Sequence, residues 1–183
     1  LHCAAGSRLP GFPSLRTARL LIDAGADVQA RAKSWDHEID AVYLASGAKH
    51  AALFRLLLEH GSDATEALVP ALWNGNEELA TIALDYGAAP HRAVASEQPL
   101  LNNLIRWGQV KSALWLLSRG ASPNLPDKRG WTALHQAASR GNERVVRALL
   151  EAGGDRTARD HEGELPLNIA ENAGKTKIVA LLK

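Results

Sequence analysis

Between positions 143 and 151 the apolar side chains fall at Val145, Val146, Leu149 and Leu150, the three-to-four-residue interval of one helix face. Just upstream, Thr132-Ala133-Leu134-His135-Gln136-Ala137-Ala138 reads as the opening of another helix, with Thr132 as its N-cap. Gly141-Asn142 interrupts the pattern, and Gly153 supplies the positive φ at which a helix ends with little steric cost. The spacing predicts a pair of short helices joined by a tight turn. At about 8–9 residues neither helix could bury its stripe alone. Each needs a neighbour.

The neighbours are visible as a repeat. Leu68, Leu101, Leu134 and Leu167 are spaced by 33, 33 and 33 residues, and Gly75, Gly108, Gly141 and Gly174 follow them at the same interval. Gly61, Gly87, Gly120 and Gly153 form a third register, with spacings of 26, 33 and 33. Three registers on one period predict units that stack into a continuous core, each leaning on the next.

These units resemble the ankyrin repeat. Leu1-His2-Cys3-Ala4-Ala5 and Thr132-Ala133-Leu134-His135 are similar to the family's TPLHxAA helix opening, and Ala24-Gly25-Ala26-Asp27-Val28-Gln29-Ala30 to its GADVNA loop. His60-Gly61-Ser62-Asp63 and Arg119-Gly120-Ala121-Ser122-Pro123-Asn124 are looser copies. The resemblance implies an all-α solenoid of about six helix-turn-helix units with short hairpin fingers. The whole chain, 1–183, is expected to be one ankyrin-repeat domain, with repeats at roughly 1–33, 34–64, 65–92, 93–125, 126–158 and 159–183.

The pattern is broken in places. Residues 6–16, with Pro10, Gly11 and Pro13, make an insertion in the first unit. Gly61 to Leu68 is 7 residues where later units have 14, so the finger between the second and third units is expected to be missing or cut down. The 17-residue connection from Gly25 to Val42 is long and contains Trp35. Asp40-Ala41-Val42-Tyr43, Glu66-Ala67-Leu68-Val69 and Pro99-Leu100-Leu101-Asn102 hold the helix-opening slot in degenerate form.

Composition changes this picture little. A hydrophobic share of 46% is ample for a buried core and argues against disorder. A net charge of +1 singles out neither nucleic acid nor membrane. The one cysteine, Cys3, cannot form an internal disulfide, which points to a reducing compartment and makes the cytoplasm the expected location. The nucleus, or delivery into a host cell, stays open. Apolar runs such as 51–54 and 56–58 fall far short of the ~20 residues of a membrane helix. The first ten residues lack a basic stretch followed by an apolar one, the pattern of a secretory signal. The absence of methionine leads us to expect that Leu1 is not a natural start and that the chain is a piece of a longer protein.

Candidate chemistry is sparse. His2, His50 and His135 fall on slots where the ankyrin pattern itself carries histidine, which implies a structural role, while His37, His60, His91 and His161 are scattered over loops and helix ends. No HExxH or CxxC spacing suggests a metal. Cys3 sits in a helix opening as a small buried residue would, and no serine lies in a G-x-S-x-G elbow. Gly174-Lys175-Thr176 has the ending of a phosphate-binding loop, but Ile169 stands where its first glycine belongs. Glu77, Glu78 and Glu143 follow turn glycines, where a carboxylate favours the start of a helix. No catalytic residue, metal or cofactor is expected.

The resemblance implies recognition on a concave side built from finger tips and the exposed ends of first helices. The matching slots, five and six residues past each marker leucine, hold Trp73 and Asn74, Arg106 and Trp107, Ser139 and Arg140, and Asn172 and Ala173. The finger before the fifth unit adds Lys128, Arg129 and Trp131. Large exposed aromatics often mark contact sites, although Trp73 and Trp107 could pack on each other, and Trp131 holds a slot where the family often has a bulky residue. Trp115 occupies a leucine slot and is expected in the core. Residues 59–97 carry a net charge of −6 and residues 98–159 a net of +6.

The expected function is therefore a non-catalytic protein-interaction module or scaffold. Its contact residues are Trp73, Asn74, Arg106, Trp107, Lys128, Arg129, Trp131 and Arg140, and its partner is a protein or peptide with an acidic and apolar segment. The alternative is the regulatory or targeting region of a larger enzyme or effector. A nucleic-acid surface on the basic repeats ranks below both, because the acidic units would repel the same strand. A membrane partner is not expected, and the chain is expected to be monomeric.

Overall fold

A computed structural model describes residues 14–34, 37–91 and 98–183. The helix opening at Leu1 to Ala5, most of the insertion at 6–16, and Trp35 lie outside the described residues. The chain divides into two compact units, Leu1–Ala89 and Pro90–Lys183.

Among the described residues of the first unit the helices are α1 (Ser14–Asp23), α2 (Ala41–Gly47), α3 (Ala51–Glu59), α4 (Ala64–Trp73) and α5 (Glu77–Asp85). Helix α2 packs on α3 and α4, α5 packs on α3 and α4, and α1 packs on α3. Leu53, Phe54, Leu57, Leu68, Leu72, Leu79 and Ile82 fill the space between them, each contributing about 1.5–3 kcal/mol by leaving water. The long connection before α2 carries two short antiparallel strands, β1 (Ala32–Ser34) and β2 (His37–Ile39), with Ala32 opposite Ile39 and Ser34 opposite His37. Between α3 and α4 only residues 60–63 intervene, so the finger expected to be missing or cut down is reduced to a four-residue link. Asp63 in that link caps α4, its carboxylate accepting from the amides of Thr65 and Glu66 at 2.7 and 3.1 Å.

The second unit holds α6 (Leu100–Arg106), α7 (Val110–Ser118), α8 (Ala133–Arg140), α9 (Glu143–Glu151), α10 (Pro166–Asn172) and α11 (Thr176–Leu182). First helices α6, α8 and α10 pack in sequence, and second helices α7, α9 and α11 do the same. Leu101, Leu104, Leu116, Leu134, Val146, Leu149 and Ile178 are buried between the layers. Gly141 ends α8 at φ +73°, the left-handed conformation that lets the chain reverse into α9.

One slot opens the second helices. His50, Asn76 and Asn142 precede α3, α5 and α9, and each side chain accepts from the amide three residues on, at 3.3, 3.1 and 3.1 Å. His50 is thus a cap. A second slot joins neighbouring repeats. The Gln29 amide donates to the Gly61 carbonyl at 2.8 Å, and Asn124 donates to Gly153 at 2.9 Å. Asn124 also accepts from Asp155 N–H at 2.8 Å, as the Thr65 hydroxyl oxygen accepts from Ala89 N–H at 3.2 Å. The clasp therefore persists in the unit that lost its finger.

Trp115 departs from expectation. It is half-buried, with the Arg119 guanidinium 4.8 Å from its ring centroid. An indole is longer than the leucine whose slot it takes, and its far edge reaches the surface.

Candidate functional site

The expected contact residues do not gather in one place. In the second unit Lys128, Arg129 and Trp131 stand before the N-terminus of α8, whereas Arg140 closes its C-terminus. Eight residues of helix separate the two groups by about 12 Å. Arg106 and Trp107 stand at the C-terminal end of α6, on Arg140's side, and the Arg140 guanidinium donates to the Arg106 carbonyl. Trp107 is 61% exposed, with the Arg106 guanidinium 5.7 Å from its ring. In the first unit Trp73, 43% exposed, and Asn74 hold the corresponding end of α4.

The finger group is tightly built. Asp127 accepts at Oδ1 from the amides of Arg129 and Trp131, both at 2.9 Å, and Asp160 repeats the motif with Glu162 and Glu164, both at 2.9 Å. Gly130 and Gly163, each at φ +82°, close the two turns. The turns touch: His161 N–H donates to the Arg129 carbonyl at 3.0 Å, and Trp131 Nε1 donates to Asp160 Oδ2 at 2.9 Å. Burial pushes the Asp160 carboxyl up, but the Glu164 and Glu162 amides and the Trp131 indole outweigh it and hold its pKa below the ordinary value. These Asp-x-x-Gly turns were not singled out from sequence. The 33-residue interval from Asp127 to Asp160 was the available signal.

Trp131 lies between Arg129, whose guanidinium is 4.1 Å from its ring, and His135, whose ring is 6.1 Å away and nearly parallel. It is half-buried and structural on one side. Its other edge borders a cleft of about 250 Å³ lined by Lys128, Arg129, His161, Glu162 and Ile169 among others.

His135 is fully buried. Its Nδ1 accepts from Thr132 N–H at 3.2 Å and lies 3.0 Å from the Thr132 hydroxyl, so the ring proton is on Nε2, which donates to the Glu164 carbonyl at 3.2 Å. Burial lowers its pKa. This is a neutral structural imidazole, as its slot implied. Among the described residues no group of three or more His, Cys, Asp or Glu side chains could hold a metal ion, and no helix is long and apolar enough to cross a membrane.

Comparison with known proteins agrees with this architecture. The family model for ankyrin repeats (three copies) matches residues 101–183. A putative ankyrin repeat-containing protein of Treponema pallidum (strain Nichols) is 34% identical over 128 residues, covering 69% of this chain and 43% of that protein. Cyclin-dependent kinase inhibitor 2A of Monodelphis domestica is 33% identical over 119 residues, 64% of this chain and 69% of that protein. Protein phosphatase 1 regulatory subunit 27 of Homo sapiens is 34% identical over 105 residues, 57% of this chain and 60% of that protein. The chain belongs to the ankyrin-repeat family. Repeats of this kind are generally protein–protein interaction modules, and the chain spans less than half the length of its Treponema relative.

Proposed function

We propose that this chain is a non-catalytic interaction module that holds a polypeptide segment of a partner protein. The observation that carries the reading is Trp107, a large aromatic side chain left 61% exposed beside Arg106 and Arg140 on a rigid repeat scaffold. Tryptophan and arginine are the side chains on which interface energy concentrates. Trp73 and Asn74 in the first unit, and Lys128, Arg129 and Trp131 at the fingers, are the further contact residues. Cations at Arg106, Lys128, Arg129 and Arg140 suit a partner with an acidic and apolar segment, and residues 1–183 act as one ankyrin-repeat domain.

A second reading, the regulatory or targeting region of a larger enzyme or effector, is supported by two relatives whose names describe an inhibitor and a regulatory subunit. It uses the same surface. The test is a Trp107→Ala, Arg140→Glu double variant with an unchanged circular dichroism spectrum. Proteins captured by the parent and identified by mass spectrometry should be lost, and the leading one, purified, should bind the variant at least about tenfold more weakly. Capture of the same proteins by both would show this surface to be the wrong one.

A further inference from the structure

Three second helices of the second unit begin with a cation where helix electrostatics favours an anion. Lys111, Arg144 and Lys177 hold the second position of α7, α9 and α11, 33 residues apart, and all three are exposed. The amide end of a helix is partially positive, so a cation in the first turn is unfavourable. Glu77 and Glu78 at the start of α5 have the favourable sign. Helix stability therefore does not explain why the unfavourable sign recurs at one slot of three successive repeats.

The packing turns that slot into a row. Helix α7 packs on α9 and α9 on α11, at the step of about 8–10 Å usual for packed helices. Arg106, Trp107 and Arg140 lie at the same edge, because only residues 107–109 and 141–142 separate the first helices from the second. Glu143 shares the edge but is engaged by Arg147 at 2.8 Å. Glu171 is the other acid there.

We infer that this turn edge, opposite the fingers, is a docking surface for an acidic polypeptide segment. The inference rests on the interaction-module reading and adds where the partner lies and what chemistry holds it. Carboxylates three residues apart on a polyproline II segment share one face and stand about 9 Å apart, the step of the row. Arginine guanidinium groups fork onto carboxylates, and Trp107 offers an apolar face for a side chain between them. Glu143 and Glu171 interrupt the edge in a way that a mixed-charge polypeptide accommodates and a continuous polyanion, such as nucleic acid or an anionic bilayer, does not.

The test uses the whole chain and, as probe, a short labelled peptide with glutamate at every third position and proline between, at low salt, followed by fluorescence anisotropy. The parent binds. The triple variant Lys111→Glu, Arg144→Glu, Lys177→Gln binds about tenfold more weakly or worse, as the loss of several exposed ion pairs requires. Its melting temperature stays level or rises, because the charges at the helix starts now have the favourable sign. The control variant Arg156→Glu, an exposed cation in neither the edge nor the finger group, keeps parental affinity.

Equal binding by the triple variant, or a comparable loss in the Arg156 control, would overturn the inference. So would tighter binding of single-stranded DNA or of phosphatidylserine vesicles than of the peptide, since the edge would then serve another class of partner. Failure of the parent to bind the peptide would remove the acidic-segment chemistry, while capture of a native partner by Trp107 and Arg140 stays a separate measurement.

Discussion

His135 and Glu164 stand 29 residues apart and are joined by a 3.2 Å hydrogen bond from the imidazole Nε2 to the Glu164 carbonyl. Asn102 makes the counterpart bond, its amide donating to the Trp131 carbonyl at 2.8 Å, again over 29 residues. The slot after the marker leucine therefore ties α6 and α8 each to the finger that follows.

Replacing His135 by Ala should destabilise the protein by about 2–4 kcal/mol, because it opens a cavity and strands the Thr132 N–H and the Glu164 carbonyl. His135→Asn should recover much of that loss, since Asn102 bonds the next finger and Asn168 accepts from Leu165 N–H at 2.9 Å from the same slot. Urea unfolding of the three proteins measures the order. Equal midpoints for the Ala and Asn variants would refute the assignment.

The same histidine sets a pH dependence. Burial outweighs the Glu164 carbonyl and the nearby carboxylates of Asp160, Asp127 and Glu164, and depresses the pKa of His135 below its ordinary value of 6.5. Above that value neither state is protonated and the full stability is present. As pH falls through 6.5 toward the lowered folded value, the unfolded chain takes up the proton first, and stability is lost. Unfolding midpoints followed from pH 8 downward should drop in this window (about pH 6.5 and below), and the drop should be smaller in His135→Asn.

Asn102 has an unsatisfied atom with a legible cause. Its Oδ1 is buried without a hydrogen-bond partner, whereas the counterpart atoms of His135 and Asn168 accept from the backbone N–H of Thr132 and Leu165. The residue at that place is Pro99, which has no N–H. Pro99→Thr supplies the donor and should stabilise the protein by about 1 kcal/mol after the entropic cost of losing proline. A lower unfolding midpoint would contradict this account.

Gly130 and Gly163 share φ +82° but not their surroundings. A Cβ on Gly130 would lie 2.9 Å from the backbone nitrogen of His161, while one on Gly163 meets nothing within 4 Å. Gly163→Ala should cost about 1–2 kcal/mol from the left-handed backbone alone. Gly130→Ala should cost more, because a backbone atom must also move. Thermal unfolding of the pair tests the difference.

Much of the fold was legible because each repeat reuses the same slots. Leu134 and Gly141 predict a helix and its stop, and α8 runs from Ala133 to Arg140. The shortened spacing at Gly61 anticipates the link of residues 60–63. The candidate site was read less well, because counting slots does not say at which end of a helix a residue stands. Trp131 and Arg140 are close in sequence yet lie at opposite ends of α8. Lys111, Arg144 and Lys177 also obey the interval, but their shared edge exists only once the second helices are placed side by side. Trp115 was assigned by slot, and its size, which slot counting ignores, brings it to the surface.

The two bonds between the Asp127 and Asp160 turns have a mechanical consequence. With the Trp131 indole on Asp160 and the His161 amide on Arg129, these finger tips form one stiff paddle. A load on either tip is passed to the other through these two bonds, so separating the turns means breaking both.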